Sequence, residues 1–317
     1  MQIGAGSAPW YDPAMSTTPI SVLYAFNNAY AQHAAASLAS LIRHSTSPLD
    51  VLIVSTEDPA LFQERFERSF ASEARVSLRF KQFTVPPDFP IPTVLSADAY
   101  LRLWADELFE GRSRAIYIDP DTVAVGSIEP LWQTDLHGMT VGAVAIPNSS
   151  RPREHGMPVG SLFFNSGMMV MDLQAWEAKD YRQRCIDYLR QYPERALDAD
   201  QDILNLVLIG DWLPLDYKWN VINPFFRPFH DLGMSEEERE RVCDDAVIIH
   251  FNGGAKPWVY LDNHPRQQAY FDNLARTDWR DYRPADRTLL NMCRKKLMPY
   301  VPPQLRSALK TILAKRR

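Results

Sequence analysis

Short apolar runs alternate with amphipathic stretches through the first half of the chain. Residues 21–26, 51–55 and 115–118 are almost continuous in aliphatic and aromatic side chains, as strands covered on both faces are. Residues 76–83 alternate apolar and polar positions, the period of a half-buried strand. An Ala-rich stretch over 30–42 sets Leu38, Leu41 and Ile42 on one side of a helix. Asp58 can cap a second helix reaching residue 70, and a third over 97–109 carries Tyr100 and Arg102. Strands alternating with helices predict a parallel, doubly wound sheet. Past Trp132 the pattern loosens. Residues 140–146 read as a strand, and 162–173 as a strand interrupted by Asn165, Ser166 and Gly167. Helices follow over 176–191 and 200–209, and a last strand over 247–250. Residues 147–160 are polar, with Pro, Gly and Arg, the composition of a mobile active-site loop.

With 317 residues, 46% of them hydrophobic, the chain has ample core material for one large α/β domain or two smaller ones. Its pattern predicts a loose arm over 1–19, an α/β domain over 20–265 and a helical extension over 266–317. A net charge of −5 argues against a nucleic-acid partner. Cys185, Cys243 and Cys293 lie far apart, which disfavours both a disulfide framework and a zinc site and fits a reducing, cytoplasmic setting. Residues 1–19 lack a basic segment followed by an apolar one, so no signal peptide is expected, and no apolar run is long enough to span a bilayer. Charge becomes local at the other end. No acid follows Asp286, while Arg294, Lys295, Lys296, Arg306, Lys310 and the terminal cations interleave with Leu297, Leu305, Leu309 and Ile312. This is the pattern of a basic amphipathic helix able to rest on an anionic membrane surface. A solvated terminal helix, or one docked on the domain, has the same pattern.

The strand over 115–118 runs directly into Asp119, Pro120 and Asp121. Pro120 fixes its own φ and restricts the residue before it, so the chain turns as it leaves the strand. Ligands of open α/β sheets bind beyond the carboxyl ends of the strands, where two acids can share a hard cation that in turn holds a diphosphate. Asp-Pro-Asp is also simply a favourable turn. His250 ends another strand and can add an imidazole, giving a set suited to Mn²⁺ and acceptable to Mg²⁺. Gly253 and Gly254 allow close backbone approach, and Lys256 is a point charge for phosphate. No Gly-x-Gly-x-x-Gly follows the first strand and no Walker lysine loop is present.

Four stretches then resemble glycosyltransferase family 8, which includes bacterial lipopolysaccharide galactosyl- and glucosyltransferases and glycogenin. They are residues 117–132 (from Tyr-Ile-Asp-Pro-Asp to Glu-Pro-Leu-Trp), 164–176 (Phe-Asn-Ser-Gly-Met-Met-Val-Met-Asp-Leu-Gln-Ala-Trp), 200–205 (Asp-Gln-Asp-Ile-Leu-Asn) and 250–258 (His-Phe-Asn-Gly-Gly-Ala-Lys-Pro-Trp). The resemblance covers residues 20–258. It implies a GT-A fold, a Rossmann-like mixed α/β sheet flanked by helices, and a retaining hexosyl transfer from a UDP-sugar with Mn²⁺. By position it makes Asp119, Asp121 and His250 the metal ligands, and Gly253 and Lys256 diphosphate contacts. It sets Ala25, Asn27 and Tyr30 at the uridine, Arg102 at the donor sugar or phosphate, and Asn165, Asp200 and Gln201 around the sugar and reaction centre. Two departures stand out. Asn27 occupies a place where the family often has Asp, and Ile146, Pro147 and Asn148 stand where it often has an acid. The acceptor implied is a saccharide, lipid-linked if the basic tail meets a membrane. A metal-dependent sugar nucleotidyltransferase would also use strand-end acids, but residues 26–31 lack the Gly- and cation-rich loop it needs. A non-catalytic UDP-sugar-binding protein would not require the acid pair and His250 together.

Overall fold

A computed structural model describes residues 18–87, 89, 96–196, 198, 200–227, 230–254 and 256–297. The strands are β1 Ile20–Ala25, β2 Leu49–Ser55, β3 Val76–Gln82, β4 Arg114–Ile118, β5 Thr122–Ala124, β6 Val141–Ala145, β7 Phe164–Asp172, β8 Trp212–Leu215, β9 Val221–Ile222 and β10 Ile248–His250. The helices are α1 Ala31–His44, α2 Gln63–Phe70, α3 Ala105–Leu108, α4 Glu129–Trp132, α5 Arg151–Glu154, α6 Leu173–Ala178, α7 Tyr181–Gln191, α8 Asp200–Val207, α9 Glu236–Asp244, α10 Gln267–Leu274 and α11 Leu289–Leu297.

Seven strands form the main sheet in the order β3-β2-β1-β4-β7-β6-β8. β1 and β2 are buried throughout, because helices cover both faces, and β3 alternates at the edge. The sheet is mixed rather than wholly parallel, since β7 runs antiparallel to both β4 and β6. β7 is one nine-residue strand that stays in register with β4 through Met168. On its other edge the pairing to β6 jumps from Met169 opposite Ala143 to Asn165 opposite Val144, so Ser166, Gly167 and Met168 bulge out of that ladder where the interruption was expected. The helix expected over 97–109 is a 3₁₀ stretch, Ala97–Trp104, continued by α3. The one expected over 176–191 divides into α6 and α7 where Asp180 takes φ 54°, a left-handed conformation that Asp tolerates better than most residues.

A second sheet, β5-β10-β9, lies beyond the end of β4. β10 pairs antiparallel with β5 and parallel with β9, with His250 opposite Thr122 and Ile222. β5 follows β4 after only three residues, so this small sheet holds His250 beside the acids. Two apolar clusters fill the core, one containing α1 and the other α6 to α8. α1 is rich in alanine where it packs closest. Ala34, Ala35 and Ala36 are fully buried, and small side chains allow a close approach between backbones. Tyr270, Leu274 and Trp279 belong to the same cluster as β1 and α1. The arm over 1–17 and the tail over 298–317, with Leu305, Leu309 and Ile312, lie outside the described residues.

Candidate active site

Three strands converge on one point. Asp119 leaves β4 still paired to β7, its N–H donating to the Gly167 carbonyl at 2.7 Å. The turn that follows is held from behind by hydroxyls. Thr122 Oγ1 donates to the Asp119 carbonyl at 3.0 Å, and Ser37 of α1 and Tyr24 of β1 extend the chain. His250 Nε2 lies 3.2 Å from Asp121 Oδ1 and 3.7 Å from Asp119 Oδ2. One ligand atom from each of the three residues falls within 4.8 Å of the others. Gly167 completes the cradle. A Cβ there would lie 2.6 Å from Asp119 Oδ2 and run into the His250 ring.

A run of amides sets the histidine's tautomer. The Gly167 N–H can only donate, and it reaches Asn165 Oδ1 at 3.1 Å. That fixes the Asn165 amide, whose Nδ2 donates to Gln201 Oε1 at 2.8 Å. Asn220 Nδ2 must then donate to Asn165 Oδ1, at 2.9 Å, which turns Asn220 Oδ1 toward His250 Nδ1 at 3.0 Å. The imidazole proton therefore sits on Nδ1. In the neutral ring the Nε2 lone pair faces two carboxylates, an arrangement that repels itself unless a metal cation or a second ring proton lies between. These residues fit Mn²⁺ or Mg²⁺.

Arg102 organises the other side. Its buried guanidinium donates to Asp119 Oδ1 at 3.0 Å and to the Ser166 carbonyl at 2.7 Å, lies 3.2 Å from Asp200 Oδ2, and stacks over the Tyr117 ring. It is a buried ion-pair centre, with its donors committed to protein groups. Tyr117 O–H also donates to Asp119 Oδ1 at 2.7 Å. Asp200, buried at the start of α8, accepts from Ser166 Oγ at 2.9 Å. Burial, with Asp119 adding to it and Arg102 opposing, pushes its carboxyl up to about 6. Asp121 goes the other way. Burial works to raise it, but adjacent His250 and Lys256 hold its carboxyl well below the usual carboxylate range. Lys256 bonds directly to Asp121 and donates to the Phe251 carbonyl at 2.8 Å.

The cavity in front of these groups measures 420 Å³. Ala25, Asn27, Tyr30, Arg102, Asn165, Asp200, Gln201 and Gly253 line it together with the three candidate ligands. Lys256 reaches it through Asp121. Asn27 Oδ1 is buried without a hydrogen-bond partner, and Tyr30 stands edge-on to Trp258. Gly253 takes φ +68°, where a side chain would be strained. Sequence reading missed Asn220, Asp98 and Asp198. Asp98 lines the cavity while accepting from the Thr56 N–H at 2.7 Å. Asp198 lines it two residues before Asp200. Neither stands in a motif, though Asp198 is adjacent to one that was read.

Comparison with known proteins follows the same lines. The chain is 30% identical to general stress protein A of Bacillus subtilis (strain 168) over 190 residues, 57% of this chain and 66% of that protein. It is 25% identical to lipopolysaccharide 1,2-glucosyltransferase of Escherichia coli (strain K12) over 281 residues, covering 84% and 81%. Among solved structures it is similar to the bifunctional glycosyltransferase WbbM (TM-score 0.70, 21% identity), covering 86% of this chain and 52% of that one. It is also similar to the galactosyltransferase LgtC in complex with donor and acceptor sugar analogs (TM-score 0.69, 19% identity, 81% and 96% covered). These likenesses show a GT-A fold. The model of glycosyl transferase family 8 matches residues 21–262, most of the chain, and the protein belongs to that family.

Proposed function

We propose that the chain is a metal-dependent retaining hexosyltransferase, moving glucose or galactose from a UDP-sugar to a saccharide acceptor in lipopolysaccharide or other cell-surface glycan synthesis. The observation that carries this reading is the convergence of Asp119, Asp121 and the oriented Nε2 of His250 beside a 420 Å³ cavity. Those three side chains would hold the cation. When bound, it supplies Lewis-acid stabilisation of the charge gathering on the departing diphosphate. Lys256 and the Gly253 backbone flank the same phosphates, and Ala25, Asn27 and Tyr30 bound the uridine end. Asn165, Asp200 and Gln201 line the sugar and face an oxocarbenium-like transition state. Arg102 fixes the two carboxylates, Asp119 and Asp200, relative to each other. The likeness to the Escherichia coli lipopolysaccharide 1,2-glucosyltransferase supports hexose transfer and a glycan acceptor.

A cytoplasmic position with peripheral contact to the inner membrane face is the second part of the proposal. No helix among the described residues is long and apolar enough to cross a membrane. α11 nevertheless exposes Leu289, Leu290 and Leu297, which fall within roughly a 100° sector of the helix at 3.6 residues per turn. Lys296 borders that face, while Lys295 is tied to the carbonyls of Tyr260 and Asp262. A lipid-linked saccharide acceptor suits such a surface.

The test is UDP release by purified protein from a panel of UDP-sugars, with Mn²⁺ and with chelator. One donor should be consumed in a metal-dependent way, and Asp121→Ala should abolish it. Full activity in that variant would overturn the metal site. Absence of both UDP release and UDP–Mn²⁺ binding would overturn the transferase reading.

A further inference from the structure

The segment between β6 and β7 is tied to the start of α8 at two points. Arg151, opening α5, pairs with Asp198. His155, just beyond α5, places Nε2 3.0 Å from Asp202 Oδ1. The second contact is buried, with side-chain exposure of 5% for His155 and 0% for Asp202. The imidazole lies parallel to the Phe163 ring, 6.0 Å between centroids. Phe163 itself returns a carbonyl to the Ile146 N–H at 2.7 Å, closing the segment into a strap.

Among the described residues, Asp202 faces two donors. Oδ2 accepts the Asp198 N–H at 2.7 Å and Oδ1 meets His155. A carboxylate without solvent access is costly unless its lone pairs are met by donors, and His155 supplies the donor at Oδ1. On the opposite side of the same helical turn, Gln201 Oε1 receives Asn165 Nδ2 and the Ser166 N–H, and Asp200 receives Ser166 Oγ. Asp198, Asp200 and Gln201 all line the cavity, whereas Asp202 points away from it and touches none of the groups assigned to substrate. The turn that presents sugar-facing side chains is therefore clamped from behind by the strap.

We propose that His155 is a positioning residue. Its bond to Asp202 fixes the first turn of α8, and so the placement of Asp200 and Gln201 against the donor sugar. The inference rests on the transferase reading for its catalytic consequence but not for the clamp itself. Without the imidazole donor, the buried Asp202 keeps only the Asp198 N–H as a donor among the described residues. It regains water or a proton only by shifting the turn that carries its two neighbours, and a misplacement on the order of 1 Å can cost about 100-fold in rate.

Phe and Gln at position 155 separate the roles. Phe keeps the ring against Phe163 and removes the donor, while Gln restores an N–H near the place of Nε2. Hydrogen exchange over residues 198–206 and steady-state UDP release are measured on each variant of the full chain. In His155→Phe, exchange over 198–206 should rise while β1 stays protected. kcat should fall at least tenfold with KM within threefold of wild type, and UDP affinity should be unchanged. His155→Gln should restore both exchange and kcat to within threefold. Should His155→Phe not fold, the double variant His155→Phe, Asp202→Leu removes the buried charge and still lacks an acceptor for the Asp198 N–H. The same exchange and kcat changes are expected there. Unchanged exchange over 198–206, or equal kcat losses in the Phe and Gln variants, would overturn the positioning role. If the wild-type chain releases UDP from no donor, the transferase reading falls, while exchange in the variants still decides the clamp.

Discussion

His33 shows how one buried side chain links stability to pH. Its ring stacks on Trp258 at 3.4 Å between centroids, and its Nδ1 lies 2.7 Å from the Tyr270 hydroxyl. Chiefly through burial, its pKa falls to about 3, against 6.5 for the exposed group. Its contribution is therefore fully present above pH 6.5. As pH falls from 6.5 toward 3, the unfolded chain takes up a proton that the folded chain refuses, and stability drops by up to about 1.4 kcal/mol per pH unit. His33→Phe keeps the stack and should flatten that acid limb in urea midpoints measured from pH 6.5 to 4, at a constant cost of about 1–3 kcal/mol for the unpaired Tyr270 hydroxyl. An unaltered slope would assign the acid sensitivity elsewhere. Asn220 acts on a different atom. It holds the His250 proton on Nδ1, and Asn220→Ala should weaken Mn²⁺ binding about 10- to 100-fold in calorimetry with β1 protection retained. Much of the site at this scale was readable, because Asp119, Asp121 and His250 are metal-ligand types at or just past strand ends, with Lys256 six residues further on, where local chemistry announces itself. Asn220 was not. Its role is to bridge Asn165, 55 positions away, to His250, 30 positions away, and no local pattern encodes that.

The strands show where local pattern and tertiary placement part company. Asn165, Ser166 and Gly167 look like a break in an apolar run, because polar residues and glycine are poor strand formers. In the fold they lie within β7, with Ser166 and Gly167 in the bulge that it makes against β6. The side chains of Asn165 and Ser166 bond to α8 and Arg102, and Gly167 passes the His250 ring where no Cβ fits. Thus the feature that marks them as non-strand is what the site requires of a strand. The alternation of strands and helices showed the α/β class and the main-sheet strands through β4. It could not show that β7 is antiparallel, since direction depends on how the chain returns, nor that β10 belongs to a separate three-stranded sheet. β5, β8 and β9 are two to four residues long and too short for periodicity to register. Gly167→Ala tests the close approach. Overpacking should cost about 1–3 kcal/mol, seen as a lowered urea midpoint, and by displacing His250 from the acids it should remove Mn²⁺ binding. An alanine variant that binds Mn²⁺ like wild type would mean that β7 does not limit the site.

On the scale of the whole molecule, an acidic protein ends in a basic stretch, and the two are joined through α11. That helix is anchored on its inner side. Lys295 donates to the Tyr260 carbonyl at 2.6 Å, and Asn291 Nδ2 donates to the Asp286 carbonyl at 2.7 Å. Its outer side carries exposed Leu289, Leu290 and Leu297, and the cations of residues 306–317 follow in sequence. At the anionic membrane surface proposed above, apolar contact and attraction to lipid would reinforce each other, with each cation near the surface worth about 1 kcal/mol. The active cavity lies among β1, β4, β7 and β10 and takes no lining residue from α11. Truncation after Asp286 should therefore leave UDP release toward a soluble acceptor within a few-fold of the full chain, while abolishing cosedimentation with vesicles containing anionic lipid. Asp286 itself must be kept, because its carboxylate accepts the N–H groups of Tyr260 and Leu261. A finer variant separates the two forces. Replacing Leu289, Leu290 and Leu297 by Ser should reduce vesicle binding at every ionic strength, whereas salt alone should weaken the wild-type chain progressively as charge is screened. Equal cosedimentation of the full and truncated chains would rule out the tail as the membrane contact and leave the exposed leucines to cover another part of the protein.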